Sequence, residues 1–515
     1  MDFHLYDTTL RDGTQQEGLV LSVGDKLAVA RQLDSFGVTF IEGGWPGAIP
    51  KDTEFFRRAQ HELKLRNAQL VAFGATRRPD LAVHEDPQVA ALLAAETPVV
   101  TLVAKADSRH VELALRTTQT ENLAMIRDTV RHLVREGRRV FVDAEHFFDG
   151  YRTDRAYSLQ VAEVAAEAGA EVVVLCDTNG GTLPDELGDV ITVTASTGVR
   201  LGIHCHDDSG CAVANTLLAV DAGASHVQVT AHGYGERCGN ANLFTVAANL
   251  ALKKGLPVVD SVSLNEMSAV AQAIADITTA PPLRSAPYVG VAAFTHKAGL
   301  HTSAVRVDPS LYQHIEPDLV GNSMRTLVSD MAGRAAIELK AKELGYDVSS
   351  SSDVVARVAA RVKDLERQGY AFESANASFE LLLLEELGRE RPFTVDTWRL
   401  TLSPGRCEAT VSFHPAGRVS TGTGSSPVEA LFQALRAGVE SISADLGKWQ
   451  YATCQAWSLD GSLGKPTAIR AVVTLTDGQQ RISTVGVDED SVTASWRALQ
   501  DAVTFIVLSH ESIAV

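Results

Sequence analysis

Two histidines one residue apart, in Val199-Arg-Leu-Gly-Ile-His-Cys-His-Asp-Asp208, carry the strongest chemical signal in the chain. On a strand, side chains alternate faces, so His204 and His206 point the same way while Cys205 points to the other side and takes no ligand role. Two imidazoles are half of a divalent-metal site, and Asp12, in the loop Asp7-Thr-Thr-Leu-Arg-Asp-Gly13, offers a carboxylate for the other half. An ion held by such a set, with open positions, polarises a carbonyl. A His-x-His pair is also met as a satisfied core feature, and Asp12 at the matching end of another strand is what favours the metal. Arg11 beside that carboxylate suits stabilisation of a developing alkoxide or a substrate carboxylate, with an ion pair to Asp7 or Glu42 as the plainer alternative.

The elements that must position these residues repeat regularly. To about residue 255, short β-branched runs alternate with amphipathic stretches, which predicts eight strand and helix units. The expected strands are Phe3 to Asp7, Thr39 to Gly43, Leu70 to Phe73, Val99 to Val103, Val140 to Ala144, Val172 to Cys176, Leu201 to Cys205 and His226 to Thr230. That count fits an α/β fold of the closed (β/α)8 kind, whose chemistry sits at the C-terminal strand ends. Asp12, Glu42, Lys105, Glu145, Thr178, His204 and His206 all fall there, as does the glycine loop Gly233 to Asn240. We divide the chain into a catalytic barrel (1–260), helical linker subdomains (261–390) and a C-terminal α+β domain (391–515). In the last, strands followed by helices Pro427 to Ile442 and Ser491 to Ile506 suggest duplicated βββα units for binding or dimerisation.

Composition limits the partners. In 515 residues, 46 Lys and Arg stand against 64 Asp and Glu, a net charge of −18 that disfavours nucleic acid and anionic lipid. No apolar run approaches the roughly 20 residues of a membrane span, and no secretory pattern opens the chain, so the expected compartment is the cytoplasm. Six cysteines without a Cys-x-x-Cys pair read as reduced thiols.

Taken together, Asp7 to Gly13, His204-Cys-His206 and Gly235-Glu-Arg-Cys-Gly-Asn240 resemble the metal-dependent barrel acyltransferases that include isopropylmalate, homocitrate and citramalate synthases. Gly43-Gly-Trp-Pro-Gly47, Lys51-Asp-Thr-Glu-Phe-Phe56 and Ala377-Ser-Phe-Glu-Leu381 look most like the long citramalate synthase branch. The resemblance implies that Asp12, His204, His206 and Asn240 hold a divalent metal (Mg, Mn or Zn), with Arg11 at the reacting carbonyl. It implies that Glu145 and Thr178 orient a 2-oxo acid, while His301 and Tyr312 act on acetyl-CoA from the partner subunit of a homodimer. It also implies a branched-chain amino acid effector, isoleucine or leucine, which we expect at the N-terminal ends of the two C-terminal helices. The implied reaction is a Claisen-type condensation of acetyl-CoA with pyruvate.

Departures from that pattern concern the oxo acid. Val103-Ala-Lys-Ala-Asp107-Ser-Arg109 lacks the bulky apolar wall usual after the fourth strand, and His232 replaces an asparagine. Arg109 and His232 are therefore expected to bind substrate if it carries an extra anionic group such as a phosphonate or carboxylate, and 2-oxoisovalerate is a further alternative. A serine also stands at position 426, where glycine is usual. A retro-aldol lyase and an inactive amino-acid-sensing paralogue are the more distant alternatives.

Overall fold

The computed structural model describes residues 3–196, 198–297, 299–329, 333–348, 351–414, 417–459 and 468–511. Eight strands, β1 (His4–Asp7), β2 (Phe40–Glu42), β3 (Gln69–Ala75), β4 (Val99–Lys105), β5 (Arg139–Glu145), β6 (Val172–Asp177), β7 (Arg200–Cys205) and β8 (His226–Val229), close into a barrel in chain order. The expected (β/α)8 architecture is therefore present. Closure is parallel, with His4 opposite His226 and Asp7 opposite Val229. Strands β1, β2, β6 and β8 are buried along their whole length. Helices cover a parallel barrel outside and side chains fill it inside, which is why runs such as Val172-Val-Val-Leu175 are continuously apolar. Tyr6, Phe40, Val99, Phe141 and Val174 join in one buried cluster that makes the barrel a packed core and not a pore.

The intervening helices start and stop for local reasons. The helix Val23–Phe36 opens on a capping box, in which Ser22 Oγ accepts from Asp25 N and the Asp25 carboxylate accepts from Ser22 N, and it ends at Gly37, where φ is 96°. Among the described residues no helix is long and apolar enough to cross a membrane.

By compactness the chain forms two units, Met1–Phe294 with Glu316–Ser323, and Thr295–Ile315 with Met324–Val515. In the second, helices Arg334–Glu343, Ser352–Arg367 and Asn376–Glu386 gather around Val355, Val358, Phe379 and Leu383. They lead into two three-stranded antiparallel sheets, Thr394–Ser403, Arg406–His414 and Arg418–Gly424, then Gln450–Ser458, Ile469–Thr476 and Arg481–Asp488. Each sheet is followed by a helix, Pro427–Val439 or Ser491–Glu511. The first ends three residues earlier than expected and the second runs five further. Thr467, read from the sequence as the start of a strand, lies outside the described residues.

The duplication extends to single contacts. Ser420 Oγ donates to Ala434 O at 2.6 Å, and Thr484 Oγ1 donates to Ala498 O at 2.6 Å. At Gly422 a Cβ would stand 2.2 Å from Ala434 N, and at Gly486 it would stand 2.2 Å from Ala494 O. Glycine lets strand and helix backbones touch at the same place in both repeats. The N-terminal turns of both helices are already capped: Ser426 Oγ accepts from Glu429 N (3.2 Å), and Asp490 Oδ1 accepts from Thr493 N (2.8 Å). One backbone N–H in the first turn of each helix is thus engaged within the chain.

Candidate active site

The loop after β1 is braced before it bears chemistry. Asp7 accepts from the backbone N–H and the hydroxyl of Thr9, each at 2.9 Å, and Thr9 Oγ1 accepts from Ala231 N at 2.7 Å. Burial pushes the Asp7 carboxyl up to about 7, and the Thr9 bonds restrain the rise. Asp7 is a structural brace.

Five residues on, Asp12 Oδ2 lies 3.5 Å from Nε2 of His204 and 3.5 Å from Nε2 of His206, and all three side chains are buried. Burial alone would raise the Asp12 carboxyl, but Arg11 and the two imidazoles outweigh it and hold it well below the usual carboxylate range. Asn240 Nδ2 donates to Asp12 Oδ2 at 2.9 Å and to Tyr234 O at 3.0 Å, while its Oδ1 is buried without a hydrogen-bond partner. An orphaned amide oxygen beside a carboxylate and two imidazoles is a mixed oxygen and nitrogen donor set, which fits a divalent cation.

Arg11 forms the ion pair that the sequence offered as its plainer reading. Nε donates to Glu42 Oε2 at 2.6 Å and Nη1 to Asp12 Oδ1 at 3.1 Å, with the guanidinium 3.9 Å over the Phe73 ring. The ion pair runs to Glu42, and Asp7 plays no part in it. Burial opposes the charge, but Glu42, Asp12 and Asp143 outweigh burial and keep the guanidinium above its ordinary value. Glu145 is ion-paired with Lys105, its register partner across β4 and β5. Thr178 Oγ1 accepts from His146 N at 2.9 Å, which leaves its own proton to donate.

Arg11, Asp12, Glu145, Thr178, His204 and His206 line one cavity of about 470 Å³. Its apolar side is made by Trp45, Phe73, Val103, Leu115 and Met125. Of these, Trp45, Phe73, Leu115 and Met125 lie outside the Val103 to Arg109 segment and give the cavity bulky apolar surface that the segment lacks. Trp45 is placed by the Gly43-Gly44 turn: Trp45 N donates to Asp52 Oδ2 at 2.9 Å, buried Lys26 donates to Gly43 O at 3.0 Å and pairs with Asp52, and a Cβ on Gly44 would clash with Asp52 at 2.4 Å.

Two expected site residues, Arg109 and His232, do not line this cavity. Arg109 is taken up by Asp107, 2.7 Å away. His232 Nε2 bonds to Ala271 O at 2.8 Å, and its ring packs on Phe244. His301 and Tyr312 belong to the other compact unit, where their exposed rings stack with centroids 4.2 Å apart. Conversely, Asp143 lines the cavity and Gln228 contacts His204, neither of which the motifs had singled out. The signal was present: Asp143 lies two residues before Glu145 on β5, and Gln228 two after His226 on β8, at the period of one strand face. The six cysteines are all free thiols, as expected, and Cys205 bonds outward to Thr216.

Comparison with known proteins agrees with this arrangement. Residues 2–274 match the HMGL-like family, 288–370 the homocitrate synthase post-HMGL domain-like family, and 373–507 the LeuA allosteric (dimerisation) domain. The chain is 56% identical to an (R)-citramalate synthase of Streptomyces coelicolor, over 98% of this chain and 97% of the relative. It is 43% identical to one of Aquifex aeolicus, over 99% and 98%, and 44% identical to one of Synechocystis sp., over 97% and 95%. Matched to these relatives along nearly its whole length, the chain belongs to the citramalate and isopropylmalate synthase family of HMGL-like barrel proteins.

Proposed function

We propose that this protein condenses acetyl-CoA with pyruvate and, with one water consumed in thioester hydrolysis, releases citramalate and free CoA. The observation that carries the reading is the buried Asp12, His204 and His206 set with Arg11 fixed beside it in a cavity that is polar on one side and apolar on the other. The names of the relatives support it, and they favour condensation over a lyase.

When bound, a divalent ion (Mg, Mn or Zn) supplies Lewis-acid polarisation of the keto group. The chain does the rest. Thr178 donates its hydroxyl proton to the substrate carboxylate, and Glu145, fixed by Lys105, orients the oxo acid. His301 takes a proton from the methyl of acetyl-CoA, with Tyr312 as its activating neighbour, and the resulting enolate carbon forms the new bond to the keto carbon. Arg11 donates to the oxygen that gains negative charge. Phe73, Val103, Leu115 and Met125 face the methyl of pyruvate. Two of the cations that line the cavity are already paired, Arg77 with Glu121 (2.7 Å) and Asp128 (2.8 Å), and Lys105 with Glu145. The C-terminal domain supplies dimerisation and an effector site for a branched-chain amino acid, in support of which stands its match to an allosteric domain.

Thiol release from acetyl-CoA across a panel of 2-oxo acids, with mass identification of the product, tests this. Pyruvate is expected to give the highest kcat/KM. Higher turnover with 2-oxoisovalerate or a dianionic oxo acid would overturn the assignment.

A further inference from the structure

An imidazole that binds a cation through Nε2 must carry its hydrogen on Nδ1, so the partner of Nδ1 decides whether the ligand is ready. The two histidines of the site differ in this respect. His206 Nδ1 faces Arg237 Nη2 at 3.0 Å, and a guanidinium can only donate. His204 Nδ1 faces Gln228 Oε1 at 2.9 Å, an acceptor.

A carboxamide can present either end, so something must fix the orientation of Gln228. Its Nε2 donates to Asp143 Oδ1 at 2.8 Å, which turns Oε1 toward His204. Strand register supports the same contact, since His204 and Gln228 are direct partners across β7 and β8. Gln228 is 1% exposed and Asp143 4%, so both bonds are buried.

The geometry points to an Asp143–Gln228 relay that fixes His204 in the tautomer whose Nε2 lone pair faces the divalent-cation site, which makes Gln228 a positioning residue for the metal. This inference rests on reading Asp12, His204 and His206 as the metal site. Nothing in it depends on which oxo acid the enzyme takes.

The test is Mn²⁺ titration of chelator-stripped full-length protein, with free Mn²⁺ read by electron paramagnetic resonance. Wild type is expected to bind Mn²⁺ and His204→Ala to lose it. Gln228→Met, similar in size but without the acceptor, is expected to raise Kd by about 10- to 100-fold. Gln228→Glu combined with Asp143→Asn is expected to recover most of the affinity, because the new carboxylate accepts from His204 Nδ1 and the new amide donates to it. Independently, nitrogen chemical shifts of ¹⁵N-histidine-labelled, metal-free wild type are expected to show His204 protonated on Nδ1. A wild-type Kd for Gln228→Met, no recovery in the folded double variant, or an Nε2-protonated His204 would each overturn the relay. Failure of wild type to bind Mn²⁺ would instead overturn the metal-site reading beneath it.

Discussion

The guanidinium of Arg11 is held in two directions and from below: Glu42 and Asp12 accept from its edge, and Phe73 stacks beneath its face. Glu42 is itself fixed by the hydroxyls of Tyr6 and Thr8, each at 2.5 Å. A planar fork is needed to reach both carboxylates at once, so lysine is not an equivalent. We expect Arg11→Lys to lower kcat for thiol release by about 100- to 1,000-fold, with the melting temperature within a few degrees of wild type. Retention of a tenth of the activity would show that charge alone suffices. The candidate metal ligands on β7 were legible because strand alternation and residue type suffice to pair His204 with His206. Arg109 and His232 were not, because their partners are fixed by loop conformation: Asp107 sits two residues back, while the carbonyl of Ala271 belongs to a helix 39 residues further along the chain.

The eight barrel strands were legible as elements for the reason that made them strands, namely β-branched runs buried on both faces. The strand Arg418–Gly424 was not, since Arg-Val-Ser-Thr-Gly-Thr-Gly has almost no apolar pattern. Its small residues answer to the helix packed on them, a requirement invisible until the pairing is known. Gly486 is the equivalent position in the second repeat, where a Cβ would meet Ala494 O at 2.2 Å and Ala498 N at 2.7 Å. Backbone atoms cannot rotate away. Gly486→Ala is therefore expected to cost about 1–3 kcal/mol, read as a lower urea midpoint for the C-terminal domain. The same substitution at Gly478, where a Cβ meets nothing within 4 Å but φ is +91°, tests strain without a clash. Equal losses at the two sites would refute the close-approach argument.

For the whole molecule, pH acts through buried groups of opposite sign. Burial, then the neighbouring His4 and Arg200, hold His226 well below its ordinary value, so below about pH 6.5 the unfolded chain binds a proton that the folded chain refuses. That contribution to stability is lost as pH falls, by up to about 1.4 kcal/mol per pH unit. Asp7 runs the other way: its carboxyl is raised from the ordinary carboxylate range to about 7, so its contribution is fully present below about pH 4 and is lost as pH rises toward 7. His226→Gln is expected to flatten the fall in melting temperature between pH 6.5 and 5 and to leave the neutral side unchanged; an unaltered acid slope would refute this. Subunit assembly offers a separate test, because activity recovered on mixing inactive His301→Ala with inactive His204→Ala protein is expected if His301 serves a partner's barrel. No recovery after verified exchange would place it over its own. Barrel closure has a consequence for biosynthesis. Because β1 pairs with β8, residues 4–7 have no neighbour on one side until residues 226–229 have been made. At about 5–20 residues per second that wait is roughly 10–45 s, during which the first strand is an open edge on the ribosome. The earliest part of the barrel to be synthesised is thus among the last to be completed, and nascent chains halted before residue 229 has emerged should remain open to protease at β1.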